Sequence, residues 1–361
     1  MSLHFHPLHV RDVSPETDEA VVVSFDVPPE LADTFRFTQG QYLTLRAEVG
    51  GQDVRRSYSI CAGVNDGALR VGVRQVPGGV FSTWVNRELK AGDVVQVFPP
   101  QGHFFAPLAP TERRHYLGVA GGSGITPILS IMKTVLEVEP NSRFTLLYAN
   151  RTQKSTMFKE ELEDLKNRYL TRVVLHPVFS QEFMDSPLNS GRLTQAKLAE
   201  FLGPLIDPQS ISHAFVCGPF GLNDEAEAAL KAAGVVPERI HVERFGVPGT
   251  VADAQAARQH AAQPGDADDA RVILIRDGLQ REIRVGKQDA SVLDAATRAG
   301  LELPFSCKSG VCSTCRAKVV EGEVRMERNF SLEAHEVAEG FVLTCQAHAL
   351  TQRLILSFDE R

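Results

Sequence analysis

Three of the six cysteines in this 361-residue chain stand together as Cys307, Cys312 and Cys315, and Cys345 follows them at a distance. C-x4-C-x2-C with a remote fourth cysteine is the spacing in which four thiolates hold a two-iron, two-sulfide cluster. Two irons need four thiolates. One short loop can supply three of them only if its backbone wraps the cluster and turns its amides toward the sulfurs, which favours small residues. Ser309, Gly310, Ser313 and Thr314 occupy that loop. A structural zinc site or a pair of disulfides would use the same residue type, but zinc modules usually pair C-x2-C with a second such pair or with two histidines. Lys308, Arg316 and Lys318 lie beside the ligands. A positive neighbourhood there would favour the reduced cluster and steer an acidic acceptor surface toward it.

A second group of residues suits a flavin. Alternation along Arg56-Ser57-Tyr58-Ser59 puts Arg56 and Tyr58 on one side of a strand and the two serines on the other. Arginine can grip phosphate with two nitrogens, tyrosine offers a flat face to a ring system, and a serine hydroxyl can reach a ring nitrogen. Downstream, Gly78-Gly79-Val80-Phe81-Ser82-Thr83 places a glycine turn before a helix, where free amides and the helix dipole receive a phosphate. Pro100-Gln101-Gly102-His103-Phe104 is a third such segment.

A third group suits a nicotinamide nucleotide. Gly121-Gly122-Ser123-Gly124-Ile125-Thr126-Pro127 joins a strand to a helix expected from Pro127, with glycines where a nucleotide approaches the backbone and a proline where no amide is needed. At the end of the next strand, Tyr148-Ala149-Asn150-Arg151-Thr152 offers an arginine for a ribose 2′-phosphate and no acid for a 2′-hydroxyl, which favours NADPH. Cys217-Gly218-Pro219 ends the fourth strand, where open α/β sheets meet their ligands. Glu243-Arg244-Phe245 ends the last one. Cys61 reads as structural, and the eleven histidines show no ligand spacing.

The elements that must position these residues fall into three blocks. Ala20 to Phe25, Gln41 to Leu45, Ser57 to Ile60, Leu69 to Val76 and Val94 to Phe98 are short β-branched or alternating runs separated by turns. They predict an antiparallel barrel over 1–110, interrupted by one helix from about Thr83 to Leu89. Strand and helix then alternate from His115 to Phe245, which predicts a parallel α/β sheet over 111–246. Residues 247–270 lose periodicity, contain Pro248 and Pro264, and read as a linker. From 271 to 361 a hairpin around Asp277-Gly278, a short helix capped by Ser291 and stopped at Gly300, and the cysteine loop predict a small α+β domain of β-grasp-like type. No internal repeat is evident.

Composition sets bounds on what this architecture does. Hydrophobic residues make up 43% and charged ones 23%, enough for several cores, so the chain is multidomain. A net charge of −7 leaves no cationic surface of the kind that nucleic acid selects. Arg271 to Arg361 carries 13 basic and 13 acidic residues, so the whole excess of acid lies before it. No apolar run approaches the roughly 20 residues that span a bilayer. The N-terminus lacks a basic stretch followed by a hydrophobic one, and the expectation is a soluble, unexported, cytoplasmic chain with no membrane partner.

The last ninety-odd residues resemble a plant-type ferredoxin, down to Leu303-Pro304 before the loop, and residues 1 to about 246 resemble the ferredoxin–NADP reductase superfamily. That resemblance rests on R-x-Y-S at Arg56 to Ser59, G-x-x-S at Gly79 to Ser82, G-G-x-G-x-x-P at Gly121 to Pro127 and C-G-P at Cys217 to Pro219. It implies that Arg56, Gly79, Val80 and Ser82 hold flavin phosphates, that Tyr58 packs on the ring and ribityl chain with Ser57 beside it, and that Ser59 approaches the reactive nitrogen. Val73 and Arg74 would line the flavin. Gly121, Gly122, Ser123, Gly124, Thr126, Pro127, Arg151, Cys217, Gly218 and Pro219 would hold the nucleotide. Phe245 would cover the flavin until the nicotinamide displaces it, and Cys307, Cys312, Cys315 and Cys345 would bind the cluster. A complete phosphate site favours FAD over FMN. Nicotinamide gives electrons in pairs and the cluster takes one at a time, so a flavin between them completes one pathway. The resemblance therefore implies a reductase that serves an oxygenase of di-iron or Rieske type; a redox sensor without turnover is the alternative from another class.

Overall fold

A computed structural model describes residues 4–246 and 263–360. The first unit, Phe5–Phe245, begins with β1 (His6–Thr17), β2 (Ala20–Asp26), β3 (Tyr42–Val49), β4 (Gln52–Ser59), β5 (Leu69–Arg74), α1 (Val80–Arg87) and β6 (Val94–Gln101). These strands are antiparallel in the order β4-β3-β6-β1-β2-β5. An antiparallel bridge between Ile60 and Val71 joins the two outer strands and closes the barrel. Closure removes the unpaired edges that would otherwise invite aggregation. The interior is filled by Leu8, Val23, Leu43, Leu45, Val71 and Val97, all 1% exposed or less. Burying each such side chain contributes about 1.5–3 kcal/mol.

The barrel has one central strand more than the apolar runs announce. In β1 only Leu8 and Val10 are buried, and two register shifts against β2 accommodate Arg11 and Glu16. Its sequence, HPLHVRDVSPET, is too polar to read as a strand, yet it pairs with both β2 and β6. The barrel helix also starts earlier than its sequence suggests, at Val80. Gly78 at φ +72° makes the turn and Gly79 caps the helix in extended conformation.

The same unit continues with β7 (His115–Gly121), α2 (Ile125–Val138), β8 (Arg143–Asn150), α3 (Lys159–Arg168), β9 (Val173–Phe179), α4 (Gln195–Ala199), β10 (His213–Gly218), α5 (Phe220–Ala232) and β11 (Ile240–Arg244). The five strands are parallel in the order β11-β10-β7-β8-β9. Every residue of β7 is buried, as a central parallel strand covered on both faces requires. Chain order reverses between β7 and β10, and that switch point is where such sheets open a crevice for ligands. A short 3-10 turn over Gly122–Gly124 feeds α2, so the helix begins at Ile125 and Pro127 sits inside its first turn, where its missing amide costs nothing.

The second unit contains β12 (Ala270–Arg276), β13 (Leu279–Val285), α6 (Val292–Arg298), β14 (Arg316–Glu321), β15 (Val324–Met326), α7 (Ala334–Ala338), β16 (Phe341–Leu343), β17 (Ala347–Ala349) and β18 (Arg353–Ser357). Its main sheet runs β13-β12-β18-β14-β16, with β15 and β17 as a separate ribbon. Only the β12–β18 pair is parallel among these. Asp277 and Gly278, both at positive φ, form the hairpin turn, and the Ser291 hydroxyl accepts from the Asp294 amide to cap α6. Most of the expected linker, 247–262, lies outside the described residues. Of the remainder, Asp266 takes both Arg325 nitrogens at 3.1 and 2.8 Å, and the Ala267 amide donates to Ala349, so this stretch packs within the second unit.

Candidate functional site

On the barrel, β4 and the start of α1 lie side by side. The Tyr58 ring packs 6.0 Å from Phe81 in the first turn of α1, and burial pushes its hydroxyl pKa up. Arg56 points outward with Nη1 on the Arg55 carbonyl at 2.7 Å. Ser57 pairs with Thr44 across the β3–β4 ladder, hydroxyl to hydroxyl, at 3.1 Å. The Ser82 hydroxyl accepts from the Val76 amide at 3.1 Å and closes the glycine turn, while Val80 stands exposed at its mouth. An outward guanidinium beside a helix start and a flat tyrosine face fit a flavin with a diphosphate tail. Val73 is different. Its side chain is fully buried in the barrel core and its carbonyl accepts from Asn86.

Arg74 links the barrel to the nucleotide loop. Nη2 binds Glu19 at 2.9 Å, and Nη1 lies 3.0 Å from where a side chain on Gly122 would begin. In the loop itself, Gly122 adopts φ +52° and Thr126 donates to the Ser123 carbonyl at 3.0 Å. A Cβ on Gly124 would stand 2.1 Å from the Cys217 carbonyl oxygen, so only glycine lets these backbones meet. Two motifs far apart in the chain, Gly121 to Pro127 and Cys217-Gly218-Pro219, thus form one surface at the β7–β10 switch point.

Glu243 is the residue that motif reading passed over. On β11 it sits opposite Cys217 of β10, and its Oε2 accepts from the Ser59 hydroxyl of the barrel at 3.3 Å. The residue keeps some surface, but its carboxyl is closely surrounded by protein. Burial raises its pKa to about 8, against the opposing pull of the Ser59 hydrogen bond. Burial first, and Glu243 second, likewise push up the Cys217 thiol. Ser59, Cys217 and Glu243 therefore converge where barrel and nucleotide sheet meet. Phe245, one residue beyond β11, remains 46% exposed.

At the other side of the sheet, Arg151 is exposed just past β8, close enough to Glu19 to help depress that carboxyl, after the larger effect of Arg74. The second strand's end is not free of acid in space. Glu182, carried there by β9, accepts from the Gln153 amide at 2.7 Å and from its side chain at 3.1 Å.

In the second unit the four cysteines form no disulfide with one another and are arranged two and two. Cys307 lies within hydrogen-bonding reach of Cys312, which holds the Cys307 thiol low, and Cys315 is matched likewise with Cys345, which pushes the Cys315 thiol up. The Ser309 amide donates to the Cys307 sulfur at 3.3 Å and the Cys307 amide to the Cys312 sulfur at 3.5 Å. Gln346 Nε2 lies 3.6 Å from the Cys345 sulfur. Positive φ at Lys308, Gly310 and Ser313 bends the loop so that its amides face inward. Among the described residues no three His, Cys, Asp or Glu side chains converge on one point as a single ion requires. Two thiol pairs with amides aimed at the sulfurs suit a two-iron cluster instead.

The expected positive neighbourhood is corrected. Lys308 pairs with Asp294 at 2.7 Å, Arg316 with Glu336 at 3.1 Å and Lys318 with Glu360 at 3.9 Å. Each cation beside the ligands has a carboxylate partner supplied from elsewhere in the fold, so their charge is locally balanced.

A closed barrel, a parallel sheet with a glycine crevice and a thiol-paired loop define an oxidoreductase with flavin, nicotinamide and iron–sulfur domains. Family models match each part in turn: an oxidoreductase FAD-binding domain over 8–105, an oxidoreductase NAD-binding domain over 119–228 and a 2Fe-2S iron-sulfur cluster binding domain over 274–350. The chain belongs to the ferredoxin–NADP reductase family, as an NAD(P)H-dependent flavin iron–sulfur oxidoreductase. It is 44% identical over 358 residues to one of the subunits of the 1,2-phenylacetyl-CoA epoxidase of Escherichia coli (strain K12), covering 99% of this chain and 98% of that one. It is 32% identical over 355 residues to the ferredoxin reductase component of 3-ketosteroid-9-alpha-monooxygenase from Rhodococcus rhodochrous, covering 97% and 96%. Phthalate dioxygenase reductase shares the fold, with a TM-score of 0.59, 24% identity and 98% of both chains covered. Among the described residues no helix is long and apolar enough to cross a membrane.

Proposed function

We propose that this chain is the reductase component of a phenylacetyl-CoA epoxidase complex in aromatic catabolism, drawing electrons from NADPH in the cytoplasm. The meeting of Ser59 with Glu243, beside Cys217 and the Gly124 loop, carries the enzymatic reading, because it is where a barrel-bound flavin and a sheet-bound nicotinamide would come together. The choice of oxygenase is supported by the likeness to the Escherichia coli epoxidase protein along nearly the whole chain.

FAD, when bound, would supply the conversion between the paired electrons of a nicotinamide and the single electrons a [2Fe-2S] cluster takes. Arg56, Tyr58, Gly79, Val80 and Ser82 would hold the flavin. Gly121 to Pro127 and Cys217 to Pro219 would seat the nicotinamide half of the nucleotide and keep water from it. Burial raises the Glu243 pKa to about 8, so its carboxyl would hold a proton more readily than an exposed one and, with the Ser59 hydroxyl, would form a proton-holding pair at that junction. Cys307, Cys312, Cys315 and Cys345 would bind the cluster. Arg151 would take the 2′-phosphate. The Glu182 carboxylate beside Gln153 favours a second reading in which NADH is preferred.

The test is reconstitution. NADPH oxidation by the purified chain and the epoxidase component should depend on added phenylacetyl-CoA, and steady reduction of cytochrome c or ferricyanide should occur without it. Absence of both would leave a redox sensor, and the second without the first would point to another oxygenase.

A further inference from the structure

Of the five strands in the nucleotide sheet, β11 is the least secured by its own sequence. It is an edge strand, bonded to β10 alone among the described strands, and every residue of Ile240–Arg244 keeps partial exposure. The first unit ends one residue beyond it, at Phe245. A short edge strand at a unit boundary is placed to fray. Yet Glu243, next to last in that strand, has to keep its carboxyl within reach of Ser59.

Two side chains supply what burial does not. Asn223, in the first turn of α5, is fully buried, and its Nδ2 donates to the Glu243 carbonyl at 3.0 Å. Among the described residues its Oδ1 meets no donor. Exchanging the two atoms would set oxygen against oxygen, so the bond to Glu243 is what orients this amide. Arg244 reaches the same helix from the strand: its guanidinium lies 4.4 Å from the centre of the Phe220 ring and binds Asp224 at 2.8 Å and Glu227 at 3.5 Å. The helix also follows Cys217-Gly218-Pro219 directly, and a Cβ on Gly218 would stand 2.9 Å from Leu222. One turn of α5 thus touches the nucleotide surface through Leu222 and holds the end of β11 through Asn223.

We propose that Asn223 and Arg244 are positioning residues that clasp the end of β11 to α5 and so hold the Glu243 carboxyl at the meeting of barrel and nucleotide sheet. The proposal rests on the reading of Ser59, Cys217 and Glu243 as the reaction junction. Each clasp acts through Glu243 rather than on a ligand, so its loss is felt in the rate and not in nucleotide affinity.

The experiment compares Asn223→Leu and Arg244→Met, alone and combined with Glu243→Gln, in the flavin-loaded full chain. It reads the limiting rate of anaerobic flavin bleaching by NADPH, the NADPH concentration that half-saturates it, and hydrogen exchange in the peptide spanning β11. Each single variant should slow the limiting rate about tenfold at unchanged half-saturation and speed exchange of the β11 amides. In the Glu243→Gln background neither substitution should slow it further, because groups acting through one residue are not additive. A native limiting rate, native exchange in β11, or slowing that adds in full to that of Glu243→Gln overturns the proposal. Should Asn223→Leu fail to fold, Arg244→Met, which keeps a flexible stem against Phe220, decides by the same criteria. If Glu243→Gln alone bleaches at the native rate, the junction reading falls and the proposal with it; if Glu243→Gln is slow and the clasp variants are not, only the proposal falls.

Discussion

The Ser59 hydroxyl lies 3.3 Å from the Glu243 carboxyl, and that bond joins the flavin barrel to the last strand of the nucleotide sheet. Glu243 has a folded pKa of about 8 against an ordinary 4.5, so the folded protein binds this proton more tightly than the unfolded chain does. The resulting stability is full below pH 4.5 and is lost as pH rises through 8. Thermal unfolding followed from pH 5 to pH 9 should fall less steeply for Glu243→Gln than for the native protein. Parallel curves would show that the carboxyl is solvated. The same variant should lose any ionisation near pH 8 from its NADPH–ferricyanide profile.

Gly124 meets the Cys217 carbonyl so closely that a methyl group has no room. Gly124→Ala must part the ends of β7 and β10, at a cost of roughly 1–3 kcal/mol. Unfolding should shift to lower denaturant, and the KM for both nucleotides should rise. A native midpoint with native KM values would mean that the loop relaxes freely.

Arg151→Ala separates the two nucleotides. Loss of a charge-assisted contact at an exposed site costs about 1.5–3 kcal/mol, or one to two decades in affinity. The KM for NADPH should rise by that factor while NADH is nearly untouched. A preference for NADH in the native enzyme would transfer the discrimination to Glu182.

Cys312→Ser should abolish the cluster's visible absorption and about two irons per chain, yet leave NADPH–ferricyanide turnover largely intact, because a small oxidant can draw directly on the flavin. Joint loss of both would instead give Cys312 a structural role. A colourless protein with one zinc would discard the iron–sulfur assignment.

The chemistry was most legible where its residues are neighbours in sequence. Cys307, Cys312 and Cys315 share one loop, and the glycine motifs sit at strand–helix joints that turn propensity marks. Glu243 and Glu182 were not legible. Each acquires its partner only when a parallel strand carries it beside a residue that lies elsewhere in the chain: Glu243 reaches Ser59, and Glu182 reaches Gln153. Charge near the cluster misled for the same reason, since Glu336 and Glu360 reach Arg316 and Lys318 through tertiary pairing. β1 was hidden because a strand tethered on both sides by backbone bonds needs few apolar residues, and it has only Leu8 and Val10 fully inside.

In the iron–sulfur unit β18 lies in the middle of the sheet, parallel to β12 and antiparallel to β14, although it follows all four cysteines in the chain. During synthesis on the ribosome, the loop bearing Cys307, Cys312 and Cys315 therefore emerges before the strand that joins β12 to β14. The sheet of this unit is therefore joined, through Arg353–Ser357, only after all four cysteines have been made.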